Sequence, residues 1–149
     1  MIEDRIIEVR ESNDLKQREM AEILDVKRST YAAWEIGQNT ISLDYVNKIA
    51  NYFNISMDYL GFITNTKDKK IKHNELNLKE LGRRLRISRK LAKLTQQDIS
   101  SKFNTTQSVL SSYENGKVMI QTIFIIEWAK LTNTSIDWLC CKTEDKEIH

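Results

Sequence analysis

Apolar residues along the chain recur at helical rather than strand spacing, and they do so twice. Ile2, Ile6 and Val9 fall at i, i+4 and i+7, and Leu78, Leu81 and Leu85 at i, i+3 and i+7, each set lining one helix face. A polar break at Ser12–Leu15 precedes a short second helix from about Gln17, with Met20, Ala21 and Leu24 inward. Its counterpart turns Ile99, Ser100 and Phe103 inward. After Asp25-Val26, or Asn104-Thr105, a third helix is predicted over about 28–36, or 107–115. Each stops at a glycine, Gly37 or Gly116, the residue that best tolerates a left-handed C-terminal cap. A fourth helix directs Leu43, Val46, Ile49, Ala50 and Phe53 inward, and Ser56 and Ser135 read as N-caps of a last short helix holding Leu60 or Leu139. The expected fold is all-α: two tandem five-helix units, each with a core just large enough to support itself.

The two units are copies. Sliding the sequence by 79 positions aligns residues 2–61 with 81–140 without a gap, and 13 of the 60 pairs are identical. The identities mix chemistries, among them Arg10/Arg89, Gln17/Gln96, Ser29/Ser108, Glu35/Glu114, Gly37/Gly116 and Asp58/Asp137. The organisation expected is a first unit over 1–61, a linker over 62–75, a second unit over 76–141 and a tail over 142–149. The lysine-rich linker should have little core of its own, and the tail should fray.

Composition narrows the function classes. The chain has 149 residues, no proline, four glycines and two cysteines, which are adjacent at Cys140 and Cys141. No disulfide framework or CxxC metal site can be built from that pair; free thiols are expected, with an oxidant-sensing role as the alternative. No apolar run approaches the roughly 20 residues of a membrane span, and Met1-Ile2-Glu3-Asp4 does not open a signal peptide, so a cytoplasmic protein is expected. His73 and His149 lie outside every motif, and no phosphate-cradling glycine loop or metal-ligand cluster is present; neither enzyme activity nor a metal or cofactor is expected. The net charge of +2 hides an asymmetry: residues 1–61 carry 7 Lys/Arg against 11 Asp/Glu, and residues 76–149 carry 12 against 8. A basic second unit invites a polyanion.

The run Gln17-Arg18-Glu19-Met20-Ala21-Glu22-Ile23-Leu24, with Ser29 and Trp34-Glu35-Ile36-Gly37, resembles the phage-repressor and Cro-type helix-turn-helix (XRE) family. The second copy resembles it more closely through Leu94-Thr95-Gln96-Gln97-Asp98-Ile99-Ser100 and Thr106-Gln107-Ser108-Val109-Leu110-Ser111-Ser112-Tyr113-Glu114-Asn115-Gly116-Lys117. The endings Ser56-Met57-Asp58-Tyr59-Leu60 and Ser135-Ile136-Asp137-Trp138-Leu139 are similar to that family as well.

The resemblance implies a sequence-specific binder of double-stranded DNA, a transcriptional regulator acting as a repressor, with each third helix in a major groove. Base contacts are then implied for Lys27, Arg28, Ser29 and Ala33 in copy one, and for Thr106, Gln107, Ser108 and Ser112 in copy two. Arg28 suits guanine and Gln107 suits adenine. Phosphate contacts are implied for Gln17, Gln96, Lys16, Arg18 and Lys117, and structural ion pairs for Arg10 with Glu35 and Arg89 with Glu114. Trp34, Tyr113, Trp128 and Trp138 read as core. Arg83, Arg84, Arg86, Lys90 and Lys93 form either a solvated face or a phosphate-contacting one.

Copy one departs from the pattern at Lys16, Ile36 and Gln38 and is acidic overall. Two partner schemes therefore stand. Both copies bind DNA, joined by a linker long enough to bridge grooves about 34 Å apart, with or without homodimerisation. Alternatively the first copy is a protein-interaction or dimerisation module and only the second binds DNA, as in a phage-immunity or antitoxin setting.

Overall fold

The computed structural model describes residues 1–67 and 70–149, and among these the regular elements are ten helices. Copy one comprises α1 (Ile2–Ser12), α2 (Gln17–Leu24), α3 (Arg28–Glu35), α4 (Leu43–Phe53) and α5 (Met57–Leu60). Copy two comprises α6 (Leu78–Leu91), α7 (Gln96–Lys102), α8 (Gln107–Glu114), α9 (Thr122–Thr132) and α10 (Ile136–Leu139). The apolar stripes read from the sequence face inward: Ile6, Met20, Leu24, Ile49 and Leu60 in one copy, and Leu85, Ile99, Trp128 and Leu139 in the other, are buried in one continuous core. The Ser56 and Ser135 hydroxyls cap the last helices by accepting from the N–H groups of Tyr59 and Trp138.

The backbone repeats down to single torsions. Among the described residues, every one with positive φ has its partner 79 positions away: Asp14 and Lys93, Asp25 and Asn104, Gly37 and Gly116, Asn54 and Asn133, Phe62 and Cys141. The last pair lies beyond the segment that aligns by side-chain chemistry, and the correspondence continues past it. The N–H of Ser56 donates to the carbonyl of Lys67, and that of Ser135 to the carbonyl of Lys146. Arg5 donates to Asn65 and Arg84 to Glu144, each guanidinium lying over an aromatic ring of its own copy, Tyr59 or Trp138. The start of the linker and the tail are thus the same structural piece, folded back on each copy. The tail, expected to fray, lies against copy two through Lys146 and Glu144, and Lys142 within it is buried.

The two copies meet across a buried seam. The Asp137 carboxylate accepts from the N–H groups of Met57 (2.8 Å) and Asp58 (3.1 Å) at the start of α5. In return the Asp58 carboxylate accepts from the N–H of Ile136 (2.5 Å) and the hydroxyl of Ser135 (2.5 Å) at the start of α10. Each acidic side chain therefore covers the N-terminal donors of the other copy's last helix. Beside them the Thr122 hydroxyl donates to the carbonyl of Ile41, and Ile2, Leu43 and Met57 pack on Ile125, Ile126 and Ile136. Burial first, and then the neighbouring Asp58 carboxylate, push the Asp137 carboxyl up to about 7.

A second lock closes the same junction. The Lys142 ammonium donates to the side-chain oxygens of Asn47, Asn51 and Asn74, while Asn47 and Asn51 donate to the carbonyl of Asn74. Asn74 in turn donates to the carbonyl of Cys140. A lysine from the end of copy two thereby joins α4 of copy one to the connecting segment. Burial lowers its affinity for the proton, and three neutral amides take the place of a counter-ion. The segment 70–75 accordingly does not act as a free tether between the copies; the seam sets their relation.

Candidate nucleic-acid interface

In each copy a tight turn joins the second and third helices, closed by backbone bonds from Val26 to Ala21 and from Thr105 to Ser100. Ala21 and Ser100 are buried at this crossing, where a larger side chain would push the helices apart. The third helix then presents its first turn to solvent. Lys27, Arg28 and Ser29 are exposed at the start of α3, and Thr106, Gln107 and Ser108 at the start of α8. Ala33 and Ser112, one turn further on, are half-buried, and the Ser112 hydroxyl donates to its own helix at the Val109 carbonyl (2.6 Å).

A polar chain runs from the interior to each of these surfaces. In copy one, Arg10 donates through Nε to Glu35 (2.6 Å), Gln17 donates through Nε2 to the same carboxylate (3.0 Å), and Arg28 donates to the Gln17 side-chain oxygen (3.3 Å). Copy two repeats it: Arg89 to Glu114 (2.6 Å), Gln96 to Glu114 (3.1 Å), Gln107 to the Gln96 oxygen (3.4 Å). Burial pushes the Glu35 carboxyl up, but Arg10, with the neighbouring Tyr31 hydroxyl and Gln17, outweighs it and holds the group below the usual carboxylate range. Glu114 is held down against its burial in the same way by Arg89, Gln96 and Arg86. Each glutamine is consequently a brace: its amide N–H is taken by the carboxylate, and its oxygen steadies the side chain that begins the third helix.

The copies differ in charge around this shared frame. In copy one, Arg10, Lys16, Gln17, Arg18 and Arg28 line a shallow basic depression. Lys16 and Arg18 are exposed beside it. The matching positions of copy two are Thr95, Gln97 and Gln107, all neutral, with the exposed Lys117 just after α8. The cations of copy two stand instead on α6. Gly82 lets that helix lie close on the end of α8: a Cβ there would meet the carbonyl oxygens of Tyr113 and Glu114 at 2.6 Å, and copy one has Glu3 at this place.

Arg84 does not belong to the surface cluster with which the sequence grouped it. It is buried and donates to the carbonyls of Trp138 and Thr143 and to Glu144. Arg83 pairs with Glu80, and Arg86 bridges Glu114 and Asn115 at the end of α8. The role of Arg86 was legible only in part, because i, i+3 and i, i+7 spacing on α6 does not reveal that the end of α8 lies alongside. Cys140 and Cys141 are free thiols; Cys140 is buried, and burial pushes both thiols up, away from the reactive thiolate.

No helix among the described residues is long and apolar enough to cross a membrane. No curated protein and no solved structure gives a significant match to the chain. A helix-turn-helix family model matches residues 6–60 and again residues 85–139, two spans separated by the same 79 positions as the internal repeat. With more than half of its length matched, the chain belongs to the helix-turn-helix family of XRE, lambda-repressor-like type, a DNA-binding fold of transcription regulators that it carries in two copies.

Proposed function

We propose that this protein is a sequence-specific transcriptional repressor in which both copies read bases in one double-stranded operator. The observation that carries this reading is the braced pair at the two exposed helix starts, Gln17 behind Arg28 and Gln96 behind Gln107. A side chain steadied before binding loses less freedom on contact, and guanidinium and carboxamide groups match guanine and adenine edges respectively. Lys27, Ser29 and Ala33 flank Arg28 for further base or methyl contacts, as Thr106, Ser108 and Ser112 flank Gln107. Lys16, Arg18 and Lys117 contact phosphates, with Gln17 and Gln96 beside them at the starts of the second helices. The ion pairs of Arg10 with Glu35 and Arg89 with Glu114 serve as scaffold rather than contact.

The reciprocal seam supports a single chain acting where other proteins would need two. Equivalent residues exchange equivalent contacts across it, the mark of an approximate two-fold relation. Two half-sites read through that relation run in opposite directions and differ in sequence, because the two reading sets differ. Local charge favours a DNA role for copy one despite its acidic total, since Lys16, Arg18, Lys27 and Arg28 lie within a Debye length of a bound backbone and more distant carboxylates are screened.

Selection of sites from a random DNA library, with wild type beside Arg28→Ala and Gln107→Ala, tests this. The expected result is an asymmetric inverted site in wild type. Each variant should relax a different half, losing roughly 1–3 kcal/mol of discrimination at its position. If only Gln107→Ala matters, copy one is a protein-interaction unit; if no sequence is enriched, the repressor reading falls.

A further inference from the structure

The exposed cations of the two copies are exchanged between two places. At the starts of the second and third helices copy one has Lys16, Arg18, Lys27 and Arg28, and copy two has Thr95, Gln97, Thr106 and Gln107. On the first helix and the turn after it the order reverses: Asp4, Ile7, Glu11 and Asp14 in copy one face Arg83, Arg86, Lys90 and Lys93 in copy two. All four of these copy-two cations are exposed. Positive charge has therefore not been lost from the reading surface of copy two; it stands beside it.

That flank borders the end of α8 and the turn that leads into α7. Arg86 donates to Asn115 (2.8 Å) at the end of α8. Lys93 comes two residues before Thr95, the N-cap of α7. Among the described residues Lys90 and Lys93 have no ion-pair partner, so their charge is not spent within the protein. The flank also lies on the far side from the seam. In copy one, Ile2 at the start of α1 lines the junction between copies, whereas Arg10 near its end lines the basic depression. The internal repeat places the end of α6 at the corresponding outer edge of copy two.

We infer that Lys90 and Lys93, with Arg86, form a second phosphate-binding surface, which grips the DNA backbone outside the bases read by α8. This rests on the DNA-binding reading proposed above. Copy one holds its half-site through cations at helix starts; copy two holds its own through α6, and the footprint extends further on that side.

The test uses the full chain and the selected operator, with binding measured by fluorescence anisotropy across a salt series. Lys90→Gln/Lys93→Gln is compared with wild type and with Lys48→Gln, an exposed cation of α4. Each lost phosphate contact removes about 0.9 from the slope of log affinity against log salt, so the double variant should fall by about 2. Its deficit against wild type should then shrink roughly tenfold between about 50 and 200 mM salt. The selected sequence should not change, and protection of the DNA from cleavage should shorten only on the outer side of the half-site read by α8. An unchanged slope in the double variant, with the wild type bound normally, overturns the inference and leaves the repressor reading intact. A wild type that binds no DNA sinks both. Unchanged binding to one operator, with loss of joint loading of two chains on longer DNA, also overturns it and assigns the flank to the acidic α1 of a second copy.

Discussion

Where copy two begins its second and third helices with Thr95 and Thr106, copy one begins them with Lys16 and Lys27. The threonine hydroxyls accept from the N–H groups of Asp98 (3.0 Å) and Val109 (3.3 Å), and Asp98 closes a capping box by accepting from the N–H of Thr95 (2.8 Å). The lysines offer no acceptor. Only Glu19 covers the start of α2, accepting from the Lys16 N–H at 3.0 Å. A cation at a helix N-terminus also opposes the positive end of the helix dipole until an anion arrives. One copy thus puts stability at these positions and the other puts charge. The same backbone serves both, so the fold is reached with or without these caps.

The largest effect expected from this comparison lies underneath it. Glu114 is fully buried and receives Arg89, Arg86 and Gln96, whereas Glu35 receives Arg10 and Gln17. Removing one partner of a buried pair leaves a charge stranded, so Glu114→Ala should cost roughly 3–5 kcal/mol in urea unfolding. Glu35→Ala should cost about 1 kcal/mol less, the half-exposed Arg86 making only a small difference. Equal losses would show that Arg86 adds nothing to the inner network.

The seam should impose a pH dependence of its own. Asp137 binds its proton more tightly folded than unfolded, so the contribution of this group is full below its ordinary 3.8 and is lost as pH rises toward about 7. Glu35 and Glu114 have the opposite sign: their contribution is present above 4.5 and lost as pH falls. Between about pH 5 and 7 stability should therefore decline with pH, by on the order of 2 kcal/mol, and Asp137→Asn should flatten that limb. A flat wild-type profile over this range would mean that the two carboxylates do not share the seam as described.

Smaller changes should separate the caps from the cations. Thr95→Ala should lower stability by about 1 kcal/mol with little effect on operator binding. Lys16→Thr should do the reverse, raising stability by about 0.5–1 kcal/mol and weakening binding with a reduced salt slope. If Lys16→Thr leaves binding unchanged, the charge at that helix start is idle. Smallest of all is Tyr31→Phe. Its buried hydroxyl lies beside the Glu35 carboxylate but makes no well-formed hydrogen bond, and Arg10 and Gln17 already hold that carboxylate; the matching residue is Leu110, so the change in stability should stay within about 0.5 kcal/mol.

The helices and their inward faces were legible because they follow from local spacing, from Met20 to Leu60 in one copy and from Ile99 to Leu139 in the other. So were the residues gathered at the helix starts, where the motif fixes order along the chain. The seam was not legible. Asp58 and Asp137 stood out as a matched pair, but that each covers the other's helix start depends on how two folded units meet, which no periodicity encodes. The reach of the repeat was hidden for a related reason: Phe62 and Cys141 share a backbone torsion and no side-chain chemistry. Lys142 misled in the usual direction, since a lysine in a charged tail reads as solvated, and the three asparagines that enclose it come from distant positions.

The reciprocal carboxylates at the seam carry a consequence for how this protein responds to its own abundance. Two halves carried by one chain and already joined through this seam stay together whatever the expression level. Dilution cannot separate them, and no exchange with a foreign subunit can replace one half. If one chain fills both halves of its operator, as proposed, occupancy should follow the first power of protein concentration rather than the square, giving a graded response.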